Sequence, residues 1–367
     1  MKISVELGSR RYPIYFRSGG RHELVERTIA DTESGRVLVI SDDNVAPLYA
    51  AGFTQSLTET GLNARLITIP AGDATKTLDT VKQVYETAIA HGVDRTTHIL
   101  AYGGGVVGDV AGFVASTLLR GIPFAQIPTT VLAQVDSSVG GKVGVNFAGA
   151  KNLIGSFYQP KWVFIDTEHL DTLPNDHRRS GLAEAVKHGF LGGENLLSQV
   201  TDNIPGILKG DGQALFDILP NVVRFKADIV REDEREAGRR MVLNLGHTMG
   251  HAFETDGSRA PLSHGDAIAL GLRFCLAISA EKLGLSDRER LLCESALTAL
   301  GGPANWAERI DDGVFERVLL DKKNQGDTVR MIGLRKLAEP VVLDYKQEEF
   351  RDIVCRLAHA DRERKLR

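Results

Sequence analysis

The sequence predicts an α/β domain built on a mostly parallel sheet, followed by a mainly α-helical domain. Three features of the 367-residue chain carry that prediction. Short β-rich runs alternate with amphipathic helical runs through the first half. A glycine cluster stands where one such strand meets a helix, and from about Ser180 the pattern turns almost wholly helical. The length exceeds what one ordinary core holds, so two domains are expected, 1–175 and 176–367, with the boundary near Leu173 to Arg179.

In chain order, "RVLVISDD", "ARLITIP", "HILAYGGG", "FAQIPTT" and "WVFIDT" read as strands that end in Gly, Pro, Thr or Asp. Between them, "LDTVKQVYETAIAHG" and "DVAGFVASTLLRG" read as amphipathic helices. Ligands on such sheets collect at the strand ends, where these small and acidic residues fall. The second half reads as helices at "GLAEAVKHGFLG", "QALFDILPNVVRFKADIVREDERE", "MVLNLGHTMGHAFE", "GDAIALGLRFCLAISAEKLG" and "RERLLCESALTALG". A late strand pair is expected in "TVRMIGLRKLAEPVVLD", then a helix from Gln347. No internal repeat interrupts the order, and the basic end "RERKLR" is read as a solvated tail without a function.

Apolar residues make up 43% and charged residues 25%, the balance of a soluble globular protein. A net charge of −4 gives no global pull towards nucleic acid or an anionic membrane, so an anionic ligand must be held by a local cluster of cations. The cysteines, Cys275, Cys293 and Cys355, are odd in number and lack C-x-x-C spacing, which suits a reducing cytoplasm. The N-terminus has no apolar signal-peptide core and no run is long and apolar enough to span a bilayer. A cytoplasmic protein is expected.

"GGGVVGD", Gly103 to Asp109, satisfies G-x-G-x-x-G and opens a helix whose N-terminal amides could meet a pyrophosphate. A tight strand-to-helix turn explains the glycines equally well. No acidic residue follows some twenty positions later, where "IPTT" stands instead. Asp42 and Asp43 end an earlier strand and could hold a ribose; a solvated Asx turn is the even alternative. A dinucleotide site is expected, but not of the ordinary type.

"VLNLGHTMGHAFE" places His247 and His251 four residues apart, on one face of a helix. That spacing suits two ligands of one divalent ion. His264 lies at a loop-to-helix junction, and Glu184 and His188 sit four apart on another helix. With Asp266 these residues form the pool of candidate ligands; which three bind is left open by spacing alone. A lone histidine reads best as a packing residue, but three within 18 residues, flanked by glycines, favour a metal. Arg120, Lys142, Lys151, Lys187, Lys226, Arg240, Lys322 and Lys323 are scattered through the same regions. Several lie beside glycines or in apolar settings, and their convergence would suit a phosphorylated, acidic substrate.

Taken together, "GGGVVGDVAGF", "RGIPFAQIPTTVLAQVDSSVGGKVGVN", "KNLIGSFYQP", "GLAEAVKHG", "EDERE", "LNLGHTMGHAFE" and "DKKN" resemble the 3-dehydroquinate synthase family, in that family's order, from about Asp42 to Asn324. The resemblance implies an NAD-binding domain, a metal domain with the active site between the two, and a homodimer using NAD and one divalent metal, Zn2+ or Co2+. It implies a lyase of the shikimate route to chorismate and the aromatic amino acids. The expected reaction turns 3-deoxy-D-arabino-heptulosonate 7-phosphate, a phosphorylated acidic sugar, into 3-dehydroquinate and phosphate. The steps are transient oxidation, phosphate elimination, re-reduction and intramolecular aldol closure.

By the same resemblance, Glu184, His247 and His264 correspond to the metal ligands, and His251 to a histidine near the substrate phosphate. The nucleotide contacts correspond to Asp42, Asn44, Asp73, Lys76, Gly104, Gly105, Val106, Asp109, Thr129, Thr130 and Lys151. The substrate contacts correspond to Arg120, Asp136, Lys142, Asn152, Lys187, Lys226, Glu236, Arg240, Asn244, His251, Lys322 and Lys323.

The sequence departs from the commonest family pattern at Asp73 and Asp266, where Glu is usual, and at His188, where Tyr is frequent. Leu245 replaces a common Phe, and "NFAGAKN" lacks a frequent proline. None of these removes an implied ligand. Rival readings are another sugar-phosphate cyclase of valiolone or deoxyinosose type, a metal-dependent polyol dehydrogenase, and a non-catalytic paralogue.

Overall fold

The structure, a computed structural model, describes residues 1–32, 35–319 and 327–366. In chain order its strands are β1 (Lys2–Val5), β2 (Tyr12–Arg17), β3 (Arg36–Asp42), β4 (Asn63–Ile69), β5 (His98–Gly103), β6 (Phe124–Pro128), β7 (Lys142–Phe147), β8 (Ala150–Phe157), β9 (Val163–Asp166), β10 (Thr328–Lys336) and β11 (Glu339–Lys346). Its helices are α1 (Arg21–Asp31), α2 (Ala51–Glu59), α3 (Leu78–Ala90), α4 (Gly105–Thr117), α5 (Asn175–Gly192), α6 (Glu194–Leu208), α7 (Gly212–Glu232), α8 (His247–Glu254), α9 (His264–Leu283), α10 (Asp287–Ala299), α11 (Asp312–Leu319) and α12 (Gln347–Leu366).

The chain forms two compact units, one of Met1–Leu173 with Gly210–Arg235, the other of Pro174–Lys209 with Glu236–Arg367. In the first, the strands run in the order β1-β2-β9-β6-β5-β3-β4. All neighbours pair parallel except β1 with β2. The six residues of β5 are all buried, as a central parallel strand covered on both faces requires. Its Ile99 and Ala101 pack with Leu38, Ile40 and the apolar stripes of α3 and α4. Leu100 and Tyr102 point the other way, onto Phe53 and Leu57 of α2. After β4 the chain returns across β3 to form β5, so the strand order reverses between β3 and β5. Their carboxyl ends carry Asp42 and Gly103, the place where such sheets bind ligands.

Besides β1, β2, α1 and α2, two features of this unit escape the sequence reading. Strands β7 and β8 form an antiparallel hairpin outside the main sheet. Most of β8 is exposed, so its sequence carries little alternation of apolar and polar residues. Helix α7, which the sequence places with the helical domain, packs with β1 and β2 instead. Amphipathic periodicity shows that a helix has a buried face, not which core receives it.

The second unit is helical, with the hairpin β10–β11 as its sheet. Every residue of α5 from Ser180 to Leu191 is buried. The "VLNLGHTMGHAFE" segment is not one helix. A 3-10 stretch, Arg239–Asn244, ends before Gly246, which is left-handed at φ 82°, and α8 begins at His247. Among the described residues no helix is long and apolar enough to cross a membrane.

Candidate active site

In the second unit, two glycines of α9 set how closely three helices approach. A Cβ on Gly265 would lie 2.3 Å from the Ser180 backbone of α5, and one on Gly271 would lie 2.0 Å from the carbonyl oxygen of Gly246. This contact holds the first residues of α8 and α9, His247 and His264, against Glu184 in α5. His264 Nε2 lies 3.1 Å from Glu184 Oε1, and His247 Nε2 lies 3.5 Å from the same oxygen. The other ring nitrogens are engaged: His247 Nδ1 with the Leu245 carbonyl at 3.1 Å, His264 Nδ1 with Glu254 Oε2 at 3.4 Å.

Such outer partners fix a ring so that Nε2 faces a metal. One ligand atom from each of Glu184, His247 and His264 lies within 4.8 Å of the others. One carboxylate and two imidazoles suit a divalent ion that keeps a position open for substrate. The local field agrees. Burial disfavours charge on His264, but Glu184 and Glu254 outweigh it and hold the imidazole up to about 9. Lys187, 2% exposed, pairs with Glu184 from one turn along α5.

The wider pool divides here. Asp266 is held by Arg179 through two hydrogen bonds, 3.0 and 3.2 Å, which gives it a structural partner. His188 is fully buried one turn beyond Glu184. The His251 ring stands edge-on to His247, with centroids 5.2 Å apart.

In the first unit, Gly104 precedes α4, and a Cβ there would press on the Thr130 methyl at 3.0 Å. Thr129 donates its backbone N–H to Gly103, while its buried hydroxyl has no hydrogen-bond partner among the described residues. Glycine turn, helix amides and an unsatisfied hydroxyl together fit a phosphate-bearing nucleotide. Lys76, 5% exposed, reaches both Asp109 and Asn152. Burial pushes the Asp109 carboxyl up, and the Lys76 ammonium opposes that shift. Lys151 Nζ lies 3.3 Å from Asp73. Asp42 Oδ1 accepts from the backbone N–H of Asn44 and Val45, so it does form an Asx-type turn.

Comparison with known proteins decides the family. A 3-dehydroquinate synthase N-terminal family model matches residues 66–180, and the corresponding C-terminal model matches 181–324. The chain belongs to the 3-dehydroquinate synthase family.

It is 42% identical over 349 residues to the 3-dehydroquinate synthase of Pelobacter propionicus, a match covering 95% of this chain and 97% of that one. Among solved structures it is similar to 2-deoxy-scyllo-inosose synthase complexed with carbaglucose-6-phosphate, NAD+ and Co2+. The TM-score is 0.84 at 26% identity, over 97% of this chain and 100% of that one. The 2-epi-5-epi-valiolone synthase of Streptomyces hygroscopicus, with NAD+ and Zn2+ bound, superposes with a TM-score of 0.83 at 25% identity, over 97% and 98% of the two chains.

The remaining residues that the 3-dehydroquinate synthase pattern singles out fall as follows. Lys226 pairs with Asp136 Oδ1 at 2.8 Å and donates to the Asp136 carbonyl at 2.6 Å. Asn244 donates to Glu236 at 3.0 Å, and Arg240 is 1% exposed. Lys142 is exposed, and Arg120 is exposed with a left-handed backbone at φ 67°. Lys322 and Lys323 lie outside the described residues.

Three groups escape the sequence reading. Glu254 backs His264, and its only sequence signal is a place seven residues beyond His247. Tyr49, Tyr102 and His169 form a cluster in which the Tyr102 hydroxyl meets His169 at 3.0 Å and the Tyr49 hydroxyl meets Thr172 at 2.7 Å. Asn146 ties two segments of the first unit together and is taken up below.

Proposed function

We propose that this chain is a 3-dehydroquinate synthase, converting 3-deoxy-D-arabino-heptulosonate 7-phosphate into 3-dehydroquinate and phosphate. The observation that carries the reading is the Glu184–His247–His264 donor set, with Lys187 against it, in a chain that matches both family models. The same reading makes it a cytoplasmic lyase of the shikimate pathway acting as a homodimer.

Glu184, His247 and His264 would hold Zn2+ or Co2+. Asp42, Asn44, Asp73, Lys76, Gly104, Gly105, Val106, Asp109, Thr129, Thr130 and Lys151 would hold NAD. When bound, NAD supplies a reversible hydride acceptor and the metal a Lewis acid for vicinal oxygens.

The chain's own residues supply position, charge and exclusion of water. Lys187 and Lys226 are nearly fully buried, so their ammonium groups are held in place and weakly screened for an anionic substrate. Arg240 and Asn244 provide donors for its carboxylate, with Glu236 fixing the Asn244 amide. Arg120, Lys142, Asn152 and Asp136 serve the substrate hydroxyls and phosphate. His251 would hold or release a proton at a ring nitrogen beside the phosphate.

The similarity to the inosose and valiolone synthases makes another sugar phosphate the second reading. Purified protein with NAD+ and Zn2+ is tested for phosphate release from three sugars separately. 3-Deoxy-D-arabino-heptulosonate 7-phosphate is expected to react, and sedoheptulose 7-phosphate and glucose 6-phosphate are not. Release from either of those alone would move the protein to the second reading.

A further inference from the structure

We infer that Asn146 is a positioning residue of the first unit, holding the Asp73–Lys76 turn and the Lys151–Asn152 bulge in fixed register. The inference rests on the proposed nucleotide and substrate roles of those residues, and Asn146 itself is given none there.

Hairpin β7–β8 is irregular at this point. Val145 pairs with Ile154, but Phe147 pairs with Ala150, so Lys151, Asn152 and Leu153 face the single residue Asn146. Bulges of this kind leave backbone groups without ladder partners and re-aim side chains. Asn152 takes up the strain in a left-handed backbone at φ 51°, a cost that persists only where neighbours enforce it.

Asn146 supplies what the ladder omits. Its Oδ1 accepts the Asn152 backbone N–H at 3.0 Å. Its own backbone N–H turns to the Lys76 carbonyl at 2.8 Å. Its Nδ2 donates to the Asp73 carbonyl at 3.2 Å and to Asp73 Oδ2 at 3.1 Å. One amide thus engages both segments with an acceptor and a donor, and the charged contacts lie across the same seam. Lys76 reaches Asn152 Oδ1, and Lys151 lies beside Asp73. Asn146 joins those contacts at the bulge itself, bonding the Asn152 backbone on one side and Asp73 on the other.

Two substitutions separate the two ends of the amide. Asn146→Ala removes both. Asn146→Asp keeps an acceptor for the Asn152 N–H but sets a carboxylate against Asp73. Equilibrium NAD+ binding to the full chain is expected to weaken about tenfold in both variants, because segments no longer held in place must be ordered at the expense of binding. The unfolding midpoint should move by only about 2–4 °C. KM for the sugar phosphate should rise more in N146A than in N146D, since only N146D still holds Asn152. Hydrogen–deuterium exchange over 147–153 should accelerate in N146A and stay near the parent rate in N146D.

NAD+ affinity within twofold of the parent in both variants would overturn the inference. If N146A does not fold, unchanged affinity in N146D overturns it alone. A parent protein that binds no NAD+ would sink the proposed function instead, and exchange then decides. Unchanged protection at 147–153 in N146A and at 71–76 in both variants would overturn the positioning role; faster exchange there would sustain it.

Discussion

His264 Nε2 stands 3.1 Å from Glu184 Oε1, although the two residues are 80 positions apart and start from different helices. Only the close crossing of α9 with α5 and α8 makes that distance possible. Replacing His264 by Ala should therefore abolish both metal retention and turnover. His251 lies outside the donor set, so His251→Ala should retain the metal and lose about 10²–10⁴-fold in kcat, the range for a proton-transfer group. Metal analysis of the dialysed variants checks this, and equal metal loss in both would remove the division of labour.

Glu254 orients His264 without belonging to the donor set. Glu254→Gln keeps the shape but weakens the partner of Nδ1, and metal affinity should fall about 10–100-fold. Competition with a chromogenic chelator measures it. A fall of less than twofold would mean that His264 is oriented by its packing alone.

Gly271→Ala would push a methyl to within 2.0 Å of the Gly246 carbonyl. Backbone cannot yield as a flexible side chain does, so a loss of about 3 kcal/mol in stability is expected, with weaker metal binding because α8 must move. Denaturant unfolding and metal titration read the two effects. An unchanged midpoint would show that α8 and α9 separate at little cost.

Acid should destabilise the first unit through two buried histidines. Burial, aided by Lys161, holds His98 down to about 4, and burial likewise holds His169 down to about 4. Unfolded, each would titrate near 6.5, so between 6.5 and 4 the unfolded chain binds more protons. Their stabilising contribution is present above pH 6.5 and is lost as pH falls towards 4, about 2 kcal/mol for each by pH 5. Denaturant unfolding at pH 7 and 5 should show that loss, and His98→Gln should remove about half of it. A variant with an undiminished pH slope would mean that His98 is charged in the native state.

Much of this architecture is legible because strong local signals carry it. Strands such as "HILAYGGG" are apolar throughout and end in glycines, and β3 to β6 and β9 lie where such runs stand. The ligand pool is readable from spacing as a set of His and carboxylate residues, whereas its division comes from the family resemblance and not from the spacing. Nothing in the spacing shows that Arg179 occupies Asp266, or that Gly246 breaks the presumed helix ahead of His247. Asn146 and Glu254 stand within the family motifs and Glu254 lies seven residues beyond His247, but neither signal tells what the side chain touches. Their partners are brought to them only by the packed chain.

The most direct measurement is the redox balance of the reaction. Purified protein with Zn2+, NAD+ and 3-deoxy-D-arabino-heptulosonate 7-phosphate is followed for phosphate, 3-dehydroquinate and NADH together. Equal amounts of phosphate and 3-dehydroquinate, with no net NADH, are expected. NADH accumulating in step with substrate consumed, without phosphate release, would contradict a synthase and point to a dehydrogenase on this scaffold.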